Sequence, residues 1–213
     1  MAPKPTKVWT EKIGRRQAER VFHAVRFAAA RRRPMNTHIT VSFTDLGLAE
    51  EQASRFFIDV RTAIARRWKR EREVKGRDIG TLDDVHAHEH PLGGRRHVHW
   101  LLHRPALITR AELEEQLSRR IRKRAELDDL GTALHFQHDD QVKGPGTLTK
   151  YILKGTDPVF AGYFHMRTEP MGWVSGRRTG TSRTLGKAAQ EAANWNHKTP
   201  LAANDTAKAT DVA

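Results

Sequence analysis

The chain has 213 residues, a formal net charge of +13 and no cysteine. This length fits one domain with an extension at either end. The lack of cysteine excludes disulfide scaffolds, Cys-ligated zinc and thiol nucleophiles. A positive surplus of this size indicates a polyanionic partner, with nucleic acid as the leading candidate, although a purely solubilising surface is the alternative.

No segment has the pattern of a targeting or membrane sequence. The first seven residues carry positive charges without an apolar core behind them, so they are not typical of a secretory signal. No uninterrupted apolar run approaches the roughly 20 residues of a membrane helix. We therefore expect a soluble, cytoplasmic protein, which a cysteine-free chain suits.

Residues 11–33 have the pattern of a basic amphipathic helix that ends before Pro34. Val21 and Val25 belong to its apolar stripe. Its basic clusters, which we expect to contact DNA, are Arg15, Arg16, Arg31, Arg32 and Arg33. We predict that residues 1–34 form an extension outside the main domain.

The rest of the chain predicts an α+β fold. Strands are expected at residues 38–44, 79–90, 96–103 and 132–138, and helices at residues 49–75, from the capping box at Thr109, and at 147–154. The order βαββαβ is that of a ferredoxin-like split antiparallel sheet. We assign this domain to residues 35–190. Residues 191–213 are expected to be a disordered tail, because their composition offers little apolar surface to bury.

The segment His97-Val98-His99-Trp100 lies within a predicted strand. Since alternate side chains share a face, Val98 and Trp100 should point into the core and both histidines should point out of the opposite face. Two imidazoles on one rigid strand are well placed to bind one metal ion. The alternative is a pair of ordinary half-exposed histidines, in a chain that contains 12.

A third ligand is expected from the preceding strand, across the Gly93-Gly94 turn. A three-residue loop places Glu89 opposite His97, whereas a two-residue turn places His88 and His90 there. We favour Glu89. A carboxylate with two imidazoles suits Mg²⁺ or Mn²⁺, although Zn²⁺ accepts the same ligands.

Tyr151 and Lys154 lie three residues apart and should share one face of the short helix at 147–154, with Leu148 and Ile152 on its buried side. A phenol is a poor nucleophile at neutral pH, so it needs a nearby cation and a metal ion at the phosphate under attack. Lys154 and the histidine pair could supply these. A surface aromatic beside lysines is the alternative interpretation.

A strand at residues 40–44, a His-hydrophobic-His strand and a Tyr-x-x-Lys helix, in this order, resemble the HUH endonucleases. The similarity is to single-tyrosine rolling-circle replication initiators of plasmids and phages. Residues 176–183 are also similar to the segment after the tyrosine helix in bacterial members. The resemblance covers about residues 36–186.

The resemblance implies that His97, His99 and Glu89 hold a divalent ion, Mg²⁺ or Mn²⁺, at the scissile phosphate of single-stranded DNA. Tyr151 would attack and leave a 5′-phosphotyrosine link and a free 3′-hydroxyl, while Lys154 would position the phosphate or stabilise charge. The expected partners are single-stranded or stem-loop origin DNA, a host helicase and a polymerase. Further DNA contacts are expected from Lys150, Arg177 and Arg178.

Two other functions fit parts of the pattern. A single-tyrosine transposase of the same superfamily would share the histidine pair and a downstream tyrosine. A non-catalytic nucleic-acid-binding module is the second alternative, because split sheets also form RNA-recognition domains. Such a module is expected to carry aromatic residues on its open sheet face, where this chain has histidines.

Overall fold

A computed structural model describes residues 9–138 and 145–196. Its strands are β1 (Trp9–Thr10), β2 (Thr37–Ser42), β3 (Asp84–Glu89), β4 (His97–Leu102), β5 (Leu134–His138), β6 (Val174–Ser175) and β7 (Thr179–Thr181). Its α-helices are α1 (Arg15–Ala30), α2 (Glu50–Lys75), α3 (Arg110–Ala125), α4 (Pro145–Ile152), α5 (Ala161–Phe164) and α6 (Lys187–Ala192). None of these helices is both long enough and apolar enough to cross a membrane.

The central sheet is antiparallel, with the strand order β5-β2-β4-β3-β7. Its first four members have the arrangement of a βαββαβ split sheet, so the predicted α+β fold is confirmed. The sequence did not predict β7, which extends the sheet beyond β3. A separate two-stranded sheet joins β1 to β6 near the start and end of the described chain.

One face of the central sheet packs against α2 and α3. The apolar residues that both helices bury there are Phe56, Phe57, Val60, Ile64, Trp68, Leu113, Leu117 and Ile121. They meet Val98, Trp100 and Leu102 of β4, as the alternation predicted. Thr109 caps α3 by accepting a hydrogen bond from the Glu112 amide. This face is the larger of the two cores.

The opposite face is covered by α1 and α4. Val21, Val25 and Phe27 of α1 are buried in one cluster with Val85 of β3 and Leu101 of β4. Alternate residues of the central strands are apolar on this side too, and they must be covered from water. Helix α1, which was predicted to lie in an extension, therefore packs as part of the domain. The domain boundary predicted after residue 34 does not separate it from the sheet.

The chain after Gly155 continues to pack on this second core. Trp195 lies with its ring centre 5.3 Å from that of Phe27. The packed structure therefore extends past α6 to residue 196, and the tail predicted from residue 191 begins too early. Residues 197–213 lie outside the described residues.

Candidate metal centre and tyrosine site

The register of the β3–β4 hairpin brings Glu89 opposite His97 and Ala87 opposite His99. This confirms the placement of Glu89 that we favoured over His88 and His90. The strands end earlier than predicted, and residues 90–96 connect them around a turn in which the Gly94 amide donates to the Pro91 carbonyl. His88 points to the opposite face, where its ring stacks on Phe43.

Three ligand atoms converge on the second face of the sheet. Glu89 Oε2 lies 3.2 Å from His97 Nε2 and 3.4 Å from His99 Nε2, and the two Nε2 atoms are 3.1 Å apart. One ligand atom from each residue lies within 4.8 Å of the others. Glu89 and His99 are buried, and His97 is half-buried. This group could hold a metal ion.

The hydrogen bonds around the cluster fit a cation at its centre. His97 Nδ1 lies 2.7 Å from the carbonyl oxygen of Arg95, which can only accept, so Nδ1 carries the proton and the Nε2 lone pair faces the cluster. Glu89 Oε1 is buried, and within residues 9–138 and 145–196 it has no hydrogen-bond partner. A carboxylate oxygen in this state is costly unless a cation or water reaches it.

The electrostatics favour the metal-binding forms of Glu89 and His99. Burial alone would raise the pKa of Glu89, but its close contacts with the His97 and His99 rings and the charge of Lys154 outweigh burial and lower the pKa to about 2. Burial lowers the pKa of His99, against the opposing effect of Glu89. A carboxylate beside neutral imidazole is the protonation state that a metal requires.

Tyr151 lies beside this cluster. Its ring centre is 5.1 Å from that of His99, and the Lys154 ammonium lies 4.4 Å from the centre of the Tyr151 ring. Leu148 and Ile152 of α4 are buried in the second core, as predicted, and this leaves Tyr151 46% exposed on the other side of the helix. The structure thus brings the predicted nucleophile and the predicted metal ligands together.

An open groove of about 710 Å³ runs across the sheet beside Tyr151 and the two histidines. The sequence analysis did not single out several residues that line it: His38, Thr40, Ser42, Asp45, Arg95, Thr132, His135 and Gln137. The signal was present in β2, where alternation puts His38, Thr40 and Ser42 on one face. Burial, assisted by the nearby His99, lowers the pKa of His38 to about 4.

One of the arginines predicted to contact DNA, Arg178, has a structural role instead, and a second, Arg33, also makes contacts within the fold. Arg178 is completely buried and donates to the carbonyl oxygens of Met171 and Gly172, so its assignment to DNA was wrong. Burial lowers its pKa to about 10. Arg33 is half-buried and donates hydrogen bonds to Asp83 and to the Thr81 carbonyl. These bonds connect the segment after α1 to the loop before β3.

The other predicted DNA contacts lie on the surface, apart from a half-buried Lys150, which donates to the His165 carbonyl. The exposed ones are Arg15, Arg16, Arg31, Arg32 and Arg177. Arg15 pairs with Glu19, and Arg31 donates to the Thr184 carbonyl. Arg16 borders a second, shallow depression next to Trp195, and not the groove beside Tyr151.

Comparisons of the chain with protein-family models, curated proteins and solved structures found no significant match. They identify no family. The resemblance to HUH endonucleases therefore depends on the three motifs, their order and the places that the fold gives them.

Proposed function

We propose that the protein is a metal-dependent endonuclease that nicks single-stranded DNA and initiates rolling-circle replication. Tyr151 is the nucleophile in this proposal, Glu89, His97 and His99 bind Mg²⁺ or Mn²⁺, and Lys154 assists at the phosphate. The observation that carries it is the contact between the Tyr151 ring and His99, with Lys154 joining Tyr151 to Glu89. These five residues come from separate parts of the fold: β3, β4, and helix α4 with the residues directly after it.

The residues suit a transesterification. The Tyr151 oxygen forms a bond to phosphorus, and the bond from phosphorus to the 3′-oxygen breaks. The phenol proton is lost and the departing 3′-oxygen gains one, so a 5′-phosphotyrosine and a 3′-hydroxyl result. A divalent ion at this site would supply electrophilic stabilisation of the phosphate. Lys154, whose ammonium faces the phenol ring, stabilises negative charge on the phenolate.

The groove supports a polynucleotide substrate. It is open along the sheet, and it is lined by hydroxyl, amide and imidazole groups that can bind a sugar-phosphate chain. A polymerase can extend the free 3′-hydroxyl of the nicked strand, and a helicase can separate the strands. We propose both enzymes as partners, and the cytoplasm as the place where the protein acts. A single-tyrosine transposase would use the same chemistry, whereas a non-catalytic binder would not form a covalent link.

The test is a covalent adduct. Stem-loop single strands with a randomised loop and a fluorescent 3′ end are incubated with the protein and Mn²⁺, and a denaturing gel reveals labelled protein. We expect an adduct with the wild type and with Tyr163→Phe, and none with Tyr151→Phe. Tyr163 is a matched control because it is also exposed, at 57%, and its ring lies under Arg15. An adduct that persists in Tyr151→Phe would refute the assignment.

A further inference from the structure

His38 of β2 lies between the candidate ligand His99 and Gln137 of β5. Its Nε2 is 3.0 Å from His99 Nδ1, and its Nδ1 is 2.9 Å from Gln137 Oε1. His38 is buried, with 5% of its surface exposed. The contacts form an uninterrupted chain from the sheet's edge strand β5, across β2, to the side of the His99 ring that faces away from Glu89.

The chemistry of these atoms determines where the protons lie. The Gln137 oxygen can only accept, so His38 Nδ1 must donate to it. A neutral imidazole carries one proton, which leaves His38 Nε2 as an acceptor. His99 Nδ1 must then donate to His38, and the lone pair of His99 is left on Nε2, the atom that lies 3.4 Å from Glu89 Oε2.

We propose that His38 and Gln137 are positioning residues that hold His99 in the tautomer and ring orientation in which Nε2 binds the divalent ion. The proposal rests on the metal centre of the proposed function, and not on the nicking reaction. The backbone carbonyl of Arg95 does the same for His97. Groups that orient a metal-binding histidine in this way contribute about 10–100-fold to metal affinity.

The Thr40 hydroxyl also lies near His99 Nδ1, at 3.2 Å. It cannot select the tautomer, because a hydroxyl rotates and donates as readily as it accepts. Gln137 and His38 together fix which ring nitrogen of His99 carries the proton, whereas the Thr40 hydroxyl can pair with either tautomer of His99. Thr40→Val is therefore expected to change metal affinity by less than the substitutions at His38 and Gln137.

The experiment measures the affinity of the full chain for Mn²⁺ alone, without DNA, from the electron paramagnetic resonance signal of the free ion. His38→Phe should weaken binding by about 10–100-fold, and Gln137→Leu by about 10-fold. Gln137→Glu should retain wild-type affinity or exceed it, since a carboxylate is also a pure acceptor. His165→Gln is the control and should keep wild-type affinity, because His165 is exposed after α5 and does not line the groove.

The outcomes separate the two proposals. Wild-type affinity in both His38→Phe and Gln137→Leu would overturn the positioning role and leave the metal centre standing. A wild-type chain that binds no Mn²⁺ would overturn both. If circular dichroism shows that His38→Phe does not fold, the pair Gln137→Leu and Gln137→Glu decides: a loss in the first alone supports the role, and equal affinities refute it.

Discussion

Lys154 forms an ion pair with Glu89, with Nζ 3.2 Å from the Oε2 atom that also faces His97 and His99. This contact joins the segment that follows the tyrosine helix to the metal ligands on the sheet. Burial lowers the pKa of Lys154, but the Glu89 carboxylate and Tyr151 outweigh this effect and raise it, so the ammonium stays charged. Lys154 thus shares one carboxylate with the predicted metal ion.

This shared carboxylate predicts opposite effects of Lys154→Met on two measurements. Cleavage should fall by about 10²–10³-fold, because a charge aimed at the reacting groups is lost. Affinity for Mn²⁺ should rise several-fold, because a cation no longer competes for Glu89. Lys187→Met is the control, since Lys187 is exposed on α6 and pairs with Glu191. Lower Mn²⁺ affinity in Lys154→Met would contradict the competition.

Chelation should stop the reaction. We expect no cleavage in EDTA and recovery with Mn²⁺ or Mg²⁺, because the ion that Glu89, His97 and His99 would hold supplies the electrophilic stabilisation of the phosphate. Alanine at any of these three positions should abolish Mn²⁺ binding measured by calorimetry. His90→Ala should bind Mn²⁺ with wild-type affinity, because the His90 Nδ1 atom contacts the Trp173 carbonyl and lies outside the cluster. Full activity in the chelator would rule out the metal role.

Helix α1 should be required for folding. Val21, Val25 and Phe27 are buried, and each contributes about 1.5–3 kcal/mol, a large part of the roughly 5–15 kcal/mol that stabilises a domain. Deletion of residues 1–33 should therefore give an unfolded chain by circular dichroism. Val21→Asp should lower the melting temperature strongly, whereas Arg16→Ala on the exposed side of α1 should not. A folded, stable truncation would show that α1 is dispensable.

Two neighbouring arginines should separate DNA binding from stability. Arg177 is exposed, so Arg177→Ala should weaken binding to single-stranded oligonucleotides and reduce the slope of log affinity against log salt by about 0.7. Arg178 is buried among carbonyl groups, so Arg178→Ala should lower the melting temperature. An unchanged salt slope in Arg177→Ala would remove this residue from the DNA contact.

His88 should make the protein sensitive to acid. Burial, together with the nearby Arg178, lowers its pKa to about 3, against about 6.5 in the unfolded chain. Above pH 6.5 the His88 ring is neutral in both states, and its full contribution to stability is present. As the pH falls from 6.5 towards 3, only the unfolded chain binds a proton at His88, so the free energy of unfolding decreases.

His88→Phe should therefore reduce the dependence of the free energy of unfolding on pH, between pH 6 and 4, by about 1.4 kcal/mol per pH unit. Urea titrations at several pH values measure it. His135→Phe, at an exposed position, should leave the dependence as in the wild type. Equal slopes for the wild type and His88→Phe would mean that His88 is not buried in its neutral form.

The sequence alone determined the features that depend on local periodicity. The alternation of β4 placed Val98 and Trp100 on one face and His97 and His99 on the other, because side chains of a strand alternate whatever surrounds it. Helical spacing likewise put Leu148 and Ile152 on the buried side of α4 and Tyr151 on its other side. These predictions needed only neighbours within one element.

Only the tertiary structure decided which elements meet. The hairpin pattern was compatible with Glu89 or with His88 and His90, and pairing over the whole length of β3 and β4 selected Glu89. The contact of His38 with His99 joins residues 61 positions apart, and no local pattern encodes it. The arginine-rich helix α1 looked like a DNA-binding arm, because charge is visible in the sequence, whereas the apolar face of β3 that α1 covers exists only once the sheet has formed.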